Sequence, residues 1–345
     1  MKPRVWLVKL ALVSIVVLGI PFGGVMAFNY YIDPLWNFTH SNEYNDFQNG
    51  FNERIQKTNW LNAREGELDF DSLLIGTSRT TYINASNFEE KVLNYGLSEL
   101  HVKEYRDYIN YAQQKNGKPF DKIYMELTIR SFDLWVKPAF SEAQTFFEDS
   151  EAPFQRVTSL FSYDTYQRAK FNYDISRANY TDIYRAYDRE LEVFTDVGQE
   201  DIAARVVKLK EQLKARDDYN PQWAAYDEDY KARLTNIRND FPNTEFIVFT
   251  DLAIAERLKL TIEHPQHTEN YKRYIRHIVE VFGKVYSFHG YNDVTMDWAN
   301  FFDVYHFYPH IGDRVAQDLQ NGVNTEILTI VTEENIEEYF KSLGI

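Results

Sequence analysis

The chain contains no cysteine. That absence removes thiol nucleophiles, thiolate metal sites and disulfides from consideration, and it suits an exported protein large enough to be stable without cross-links. Basic residues are also in deficit, with 37 Lys and Arg against 52 Asp and Glu and a formal net charge of -15. No basic stripe is present to neutralise a phosphate backbone, so nucleic acid is not expected as a partner. Sequence periods of about 20–50 residues are missing too, which excludes a repeat architecture.

What is present is 345 residues that are 44% hydrophobic, enough for one large domain or two smaller ones with a packed core. Lys2, Arg4 and Lys9 precede an uncharged apolar run at residues 10–28, close to the length a helix needs to cross a bilayer. Positive charge on the N-terminal side predicts a cytoplasmic start and an extracytoplasmic remainder. The run reads as a retained anchor in the membrane. The alternative is a signal peptide cleaved after Val25-Met26-Ala27, and either reading exports the rest of the chain.

Residues 29–70 are polar and aromatic and read as a stalk or lid, with a helix over residues 52–64. The main signal follows. Leu73, Leu74 and Ile75 form a continuous apolar run, as in a strand covered on both faces, and Gly76-Thr77-Ser78-Arg79 breaks it. Residues 84–91 could start a helix capped by Asn84 or Ser86, and residues 92–94 read as a second strand ending at Gly96. A helix over residues 102–114 and a strand over residues 122–127 complete a strand–helix–strand rhythm, which predicts a parallel α/β sheet with right-handed crossovers. From about residue 131 to 229 the rhythm stops in favour of tyrosine-rich and charged helical stretches, a helical insertion. It resumes with a helix near residues 230–239, a strand at 245–250 ending in Asp251, a helix at 268–282 and a last strand at 284–288. The domain then ends near residue 322, leaving 323–345 as a C-terminal tail.

A small-residue turn at the carboxyl end of a buried strand is where open α/β sheets carry their chemistry. Ser78 is accordingly the candidate nucleophile, with a helix N-cap as its competing role. Its expected partners are Asp303 and His306, the one Asp-x-x-His among eight histidines. They lie between the last strand and the last helix, a loop expected on the same sheet edge. An imidazole there would accept the serine proton, and a carboxylate would hold the imidazole in the right tautomer. Two further histidine pairs have ligand-like spacing, His264 with His267 and His306 with His310, which Asp303 or Asp251 could join around a metal. Pro265 argues against the first pair sharing a regular helix, and the reading adopted holds no metal and no cofactor. Asp251, closing a strong strand, is either a substrate-binding residue at the site edge or a helix cap.

Gly76-Thr77-Ser78-Arg79, Gly96 and Asp303-x-x-His306 together resemble the SGNH (GDSL-like) hydrolase pattern. The resemblance is strongest to its membrane-anchored cell-envelope branch, whose members include the teichoic-acid D-alanylation protein and exopolysaccharide O-acetyltransferases. It covers roughly residues 70–130 and 230–322. It implies a flavodoxin-like three-layer sandwich, with Ser78 as nucleophile, His306 as base, Asp303 as orienting acid, and the amides of Ser78 and Gly96 as oxyanion-hole donors. The family usually places an asparagine after the third strand. This chain has Glu126-Leu127-Thr128-Ile129-Arg130 there, so Thr128 is the expected replacement donor. Arg79, where the family has an acidic residue, would bind an anionic substrate group or pair with Glu126. The implied activity is that of an extracytoplasmic serine esterase or O-acyltransferase on a cell-envelope glycan or an acylated small molecule, with a membrane acyltransferase as a conceivable partner. The alternative is a non-catalytic glycan-binding or envelope-assembly factor that keeps the fold.

Overall fold

A computed structural model describes residues 3–134, 136–219, 225–263 and 265–345. Its organising element is a six-stranded sheet: β1 (Ser72–Ile75), β2 (Val92–Asn94), β3 (Lys122–Leu127), β4 (Glu245–Thr250), β5 (Lys284–Ser287) and β6 (Thr329–Thr332), in the order β2-β1-β3-β4-β5-β6. β1 to β5 run parallel. β6 is antiparallel to β5, with Ser287 opposite Thr329. β1 is buried along its whole length, as its unbroken apolar run requires of a central parallel strand. Helices Tyr105–Asn116, Tyr230–Asp240, Pro265–Phe282 and Pro309–Asn321 connect or follow the strands.

Three expectations need correction. Residues 84–91 hold only a 3-10 turn, Ala85–Asn87. Both would-be caps are engaged elsewhere, since Asn84 Oδ1 accepts the Val193 N–H at 2.9 Å and Ser86 Oγ donates to Glu192 at 2.8 Å. Residues 323–345 are no loose tail. They supply β6 and helix Ile336–Ser342, burying Leu328, Val331, Tyr339 and Phe340, and the Tyr339 hydroxyl meets Ser287 Oγ at 2.6 Å. Residues 29–70 are packed in rather than standing apart, with Trp36 and Leu61 at 0% exposure. Within that segment Gln48–Asn49 pairs with Ala186–Tyr187, which pairs in turn with Val193–Phe194, so a small second sheet joins the segment to the insertion. Periodicity could not reveal strands two residues long.

The insertion itself is mostly helical, with helices Ala143–Glu151, Gln155–Ser159, Tyr163–Arg177 and Ile202–Tyr219. At the N-terminus an apolar helix runs from Val5 to Ile32 with a mean hydropathy of 2.3, long and apolar enough to serve as a membrane anchor or a signal sequence. A π-type turn at Ile15–Gly19 precedes Pro21, and the wider turn accommodates a residue that has no N–H for the helical ladder.

Candidate active site

The turn after β1 is built by close approach. A Cβ on Gly76 would stand 2.0 Å from Thr80 Oγ1 and 2.5 Å from Glu126 Cβ, so only glycine fits where the chain leaves the strand. The β3 residue Glu126 is 1% exposed, and its Oε2 accepts the Thr77 N–H at 2.6 Å, the Thr77 hydroxyl at 2.7 Å and the Thr80 hydroxyl at 3.1 Å. Burial pushes this carboxyl above its ordinary value against the opposing pull of Arg79 and Thr77. From the end of β2, Asn94 Nδ2 donates to the Thr80 and Ile83 carbonyls at 3.1 and 2.8 Å. The turn is thereby clamped by both neighbouring strands, and Ser78 is left partly exposed at its crest.

His306 reaches it from the other end of the sequence. Ser78 Oγ lies 2.8 Å from His306 Nε2, although 228 residues separate them. The loop carrying His306 is pressed inward by the following helix, in which Gly312 touches the Tyr82 backbone; a Cβ there would stand 1.8 Å from the Tyr82 carbonyl oxygen. Asp303 shapes the loop by accepting the Tyr305 and His306 amides at 2.6 and 2.7 Å through Oδ1. Its Oδ2 lies 2.8 Å from His306 Nδ1. The network assigns the ring proton to Nδ1 and leaves Nε2 as an acceptor facing the serine.

Burial pulls the imidazole of His306 down to about 4, against the upward pull of Asp303. Burial would raise Asp303, but the hydrogen bond and charge of His306, with the two amides, hold it at about 2. At neutral pH the pair is a carboxylate and a neutral imidazole, the state required of a general base. The ring of Phe302 stacks parallel to the imidazole with centroids 5.6 Å apart and limits its rotation.

Sequence reasoning missed Tyr184. This insertion residue donates its hydroxyl to Asp303 Oδ2 at 3.0 Å and lies 2.9 Å from His306 Nδ1, so the Nδ1 proton is shared between the carboxylate and the phenol oxygen. Burial, Tyr82 and Asp303 all raise the Tyr184 pKa, which keeps its proton available to donate. Among 25 tyrosines, nothing in the local pattern marks this one.

The expected supporting residues divide. Thr128 lines the same cavity of about 540 Å³ as Ser78 and His306. Gly96 does not, and its N–H already donates to Asn94 Oδ1 at 2.8 Å, so its expected role as an oxyanion donor is corrected. The Ser78 N–H makes no hydrogen bond within the described chain. Arg79 pairs with Asp251 at 3.5 Å rather than with Glu126. Asp251 is corrected as well: its side chain is fully buried beneath the cavity and caps no helix, since the next one starts at Ala255. It accepts from Ile129 N at 2.9 Å and pairs with Arg79, Arg257 and His289, which hold it well below the usual carboxylate range despite burial. Asp251 thus fixes Arg79 and Arg257, which line the cavity with Arg130 and Lys137. Glu99 is the acidic residue of that lining, and Arg130 is itself paired with Asp133 behind it, so much of the positive charge at the cavity wall is balanced by buried carboxylates.

His264 lies outside the described residues. Among those described, no group of three or more His, Cys, Asp or Glu side chains is arranged to hold a metal ion. The chain matches no protein-family model and no curated protein.

Proposed function

We propose that the chain is a membrane-anchored, extracytoplasmic serine esterase or O-acyltransferase of SGNH type, acting on a cell-envelope polysaccharide or its ester substituents. The observation that carries this reading is the unbroken relay from Ser78 Oγ through His306 to Asp303, 2.8 Å at each step. It stands at the carboxyl ends of parallel strands. The strand order supports the finer fold reading, because β2-β1-β3-β4-β5 is the order of flavodoxin-like sheets, whose ligands sit where β1 and β3 diverge.

In this mechanism Ser78 Oγ attacks the ester carbonyl carbon while its proton passes to His306 Nε2, and Asp303 stabilises the resulting imidazolium. The tetrahedral oxyanion is met by the free Ser78 N–H and by the Thr128 hydroxyl. The C–O bond to the alcohol then breaks, the alcohol leaves with the proton from His306, and an acyl-Ser78 remains. Water or a sugar hydroxyl then surrenders a proton to His306 and attacks the acyl carbon; the bond to Ser78 Oγ breaks, Ser78 takes the proton back from His306, and the acyl group leaves on the acceptor, giving hydrolysis or transfer. The guanidinium and ammonium groups at the cavity wall, from Arg79, Arg130, Arg257 and Lys137, offer hydrogen-bond donors to polar or anionic groups beside the ester. Replacing Ser78 by Ala is expected to lower p-nitrophenyl acetate turnover by about 10⁴-fold or more, and unchanged turnover would overturn the assignment.

A specific observation favours a second reading. With the Gly96 amide occupied and no asparagine after β3, the oxyanion hole has fewer donors than the family pattern, and one missing donor costs about 10²–10³ in rate. A glycan-binding or assembly factor would tolerate that loss. Glycan binding that survives Ser78→Ala, together with a wild type that turns over no ester, would establish this alternative.

A further inference from the structure

We propose that residues 154–163 of the insertion form a second membrane contact, seated in the headgroup region of the leaflet at which the N-terminal helix ends. Within these ten positions Phe154, Val157, Phe161 and Tyr163 are 79, 49, 51 and 72% exposed. Scattered apolar side chains on a surface need no explanation, but four within ten consecutive positions, on the segment bonded to the end of the apolar helix, are more than scatter. Phe154 adds a second sign. It holds a left-handed backbone conformation, φ 62°, which a residue bearing a Cβ adopts at a cost, and in that conformation its ring is left outside the fold.

The patch is fastened to the end of the apolar helix. Asn29 Nδ2 donates to the Leu160 carbonyl at 2.8 Å and the Ser162 carbonyl at 3.4 Å, and Asn37 Nδ2 donates to Ser159 Oγ at 3.0 Å. Phe28 packs on Tyr166 and Tyr173 with ring centroids 5.8 Å apart in each case. Along the helix, Trp6 at one end and Tyr30 and Tyr31 at the other are exposed, the placement that aromatic residues take at the two membrane–water boundaries. About 24 residues of helix rise roughly 36 Å, which matches a bilayer's hydrocarbon of about 30 Å plus part of its interface. Asn29 therefore lies at the boundary, and the patch lies beside it.

Its chemistry suits lipid. Residues 157–163 carry no charge, and the neighbouring Arg156 turns back to donate to the Asn62 carbonyl at 2.8 Å. Phe, Val and Tyr side chains at that depth partition into the headgroup–acyl boundary. A lone helix, even one fastened to the domain, leaves both free to rotate and tilt in the bilayer, whereas a second contact fixes how the Ser78 cavity faces the membrane. The proposal rests on the anchor being retained.

Because the chain has no cysteine, single substitutions allow site-specific labelling of the full-length protein. Val157→Cys and Phe161→Cys would carry an environment-sensitive NBD probe in phosphatidylcholine vesicles, with Val16→Cys in the helix and Val323→Cys, 56% exposed on the domain, as references. The expected result is blue-shifted emission at 157 and 161 and quenching by headgroup-nitroxide lipid several-fold stronger than at 323. Probes at 157 and 161 that match 323, while 16 is quenched by acyl-chain nitroxide, would overturn the proposal. Shielding that arises only after a membrane extract is added would mean a protein partner and overturn it too. An unquenched probe at 16 would remove the anchor reading itself, and the proposal with it. Unaltered circular dichroism of each labelled protein confirms that the fold is retained.

Discussion

The two arms of the candidate site are held in different ways. The serine turn is part of the sheet: Glu126 from β3 and Asn94 from β2 grip it through buried hydrogen bonds, and Gly76 admits no side chain. The histidine loop is held from outside the sheet, by the carboxylate of Asp303, the face of Phe302 and the hydroxyl of Tyr184. A lesion in the serine turn should therefore damage stability and chemistry together. One in the histidine loop should damage chemistry alone.

The largest separation is expected at Asp303. Asp303→Asn keeps the shape but offers His306 the wrong tautomer, so kcat should fall by about 10⁴-fold while the thermal midpoint stays near that of the wild type. A large drop in that midpoint would erase the contrast between the arms. Next comes Glu126→Ala, which strands three buried donors from Thr77 and Thr80. A loss of about 3 kcal/mol in urea unfolding is expected, with ester turnover falling alongside. Glu126→Gln retains an acceptor and should restore most of that stability, since burial already disfavours the charged form.

Tyr184→Phe is the smaller test. It removes one hydroxyl from a residue that is 43% exposed, so stability should move by less than about 1 kcal/mol, whereas kcat should fall about tenfold at unchanged KM. The pH profile sharpens the same point. His306 acts only when neutral, and burial lowers it to about 4, so kcat/KM should hold through mildly acidic pH and decline only near that value. In Tyr184→Phe the Asp303 charge loses a donor and stabilises the imidazolium more strongly, which should move the acid limb to higher pH. A limb that does not move would assign Tyr184 to packing alone.

Both arms were legible in the sequence as short motifs, and what holds each of them was not. The serine turn could be located because an apolar run followed by Gly-Thr-Ser is local, and so is Asp-x-x-His. What clamps and orients those residues is not local. Tyr184 lies 119 and 122 residues from its two partners, in a stretch full of tyrosine. Asp251 looked like a site-edge carboxylate because it ends a strand, yet its neighbours Arg79, Arg257 and His289 draw it inward, a convergence visible only in three dimensions. Gly96 stood at the expected position, but its N–H already donates to Asn94 Oδ1 at the end of the preceding strand, which decides what that amide can do. The strand that closes the sheet at residues 329–332 was missed because it is short and only partly buried.

The central claim is that Ser78 is a nucleophile activated by His306, and covalent labelling tests it most directly. After exposure to a fluorophosphonate, intact-mass and peptide analysis of the wild type should show one adduct, located on Ser78, formed far faster than in His306→Ala. Absence of an adduct, or labelling at Ser78 at the same rate in both proteins, would contradict the account.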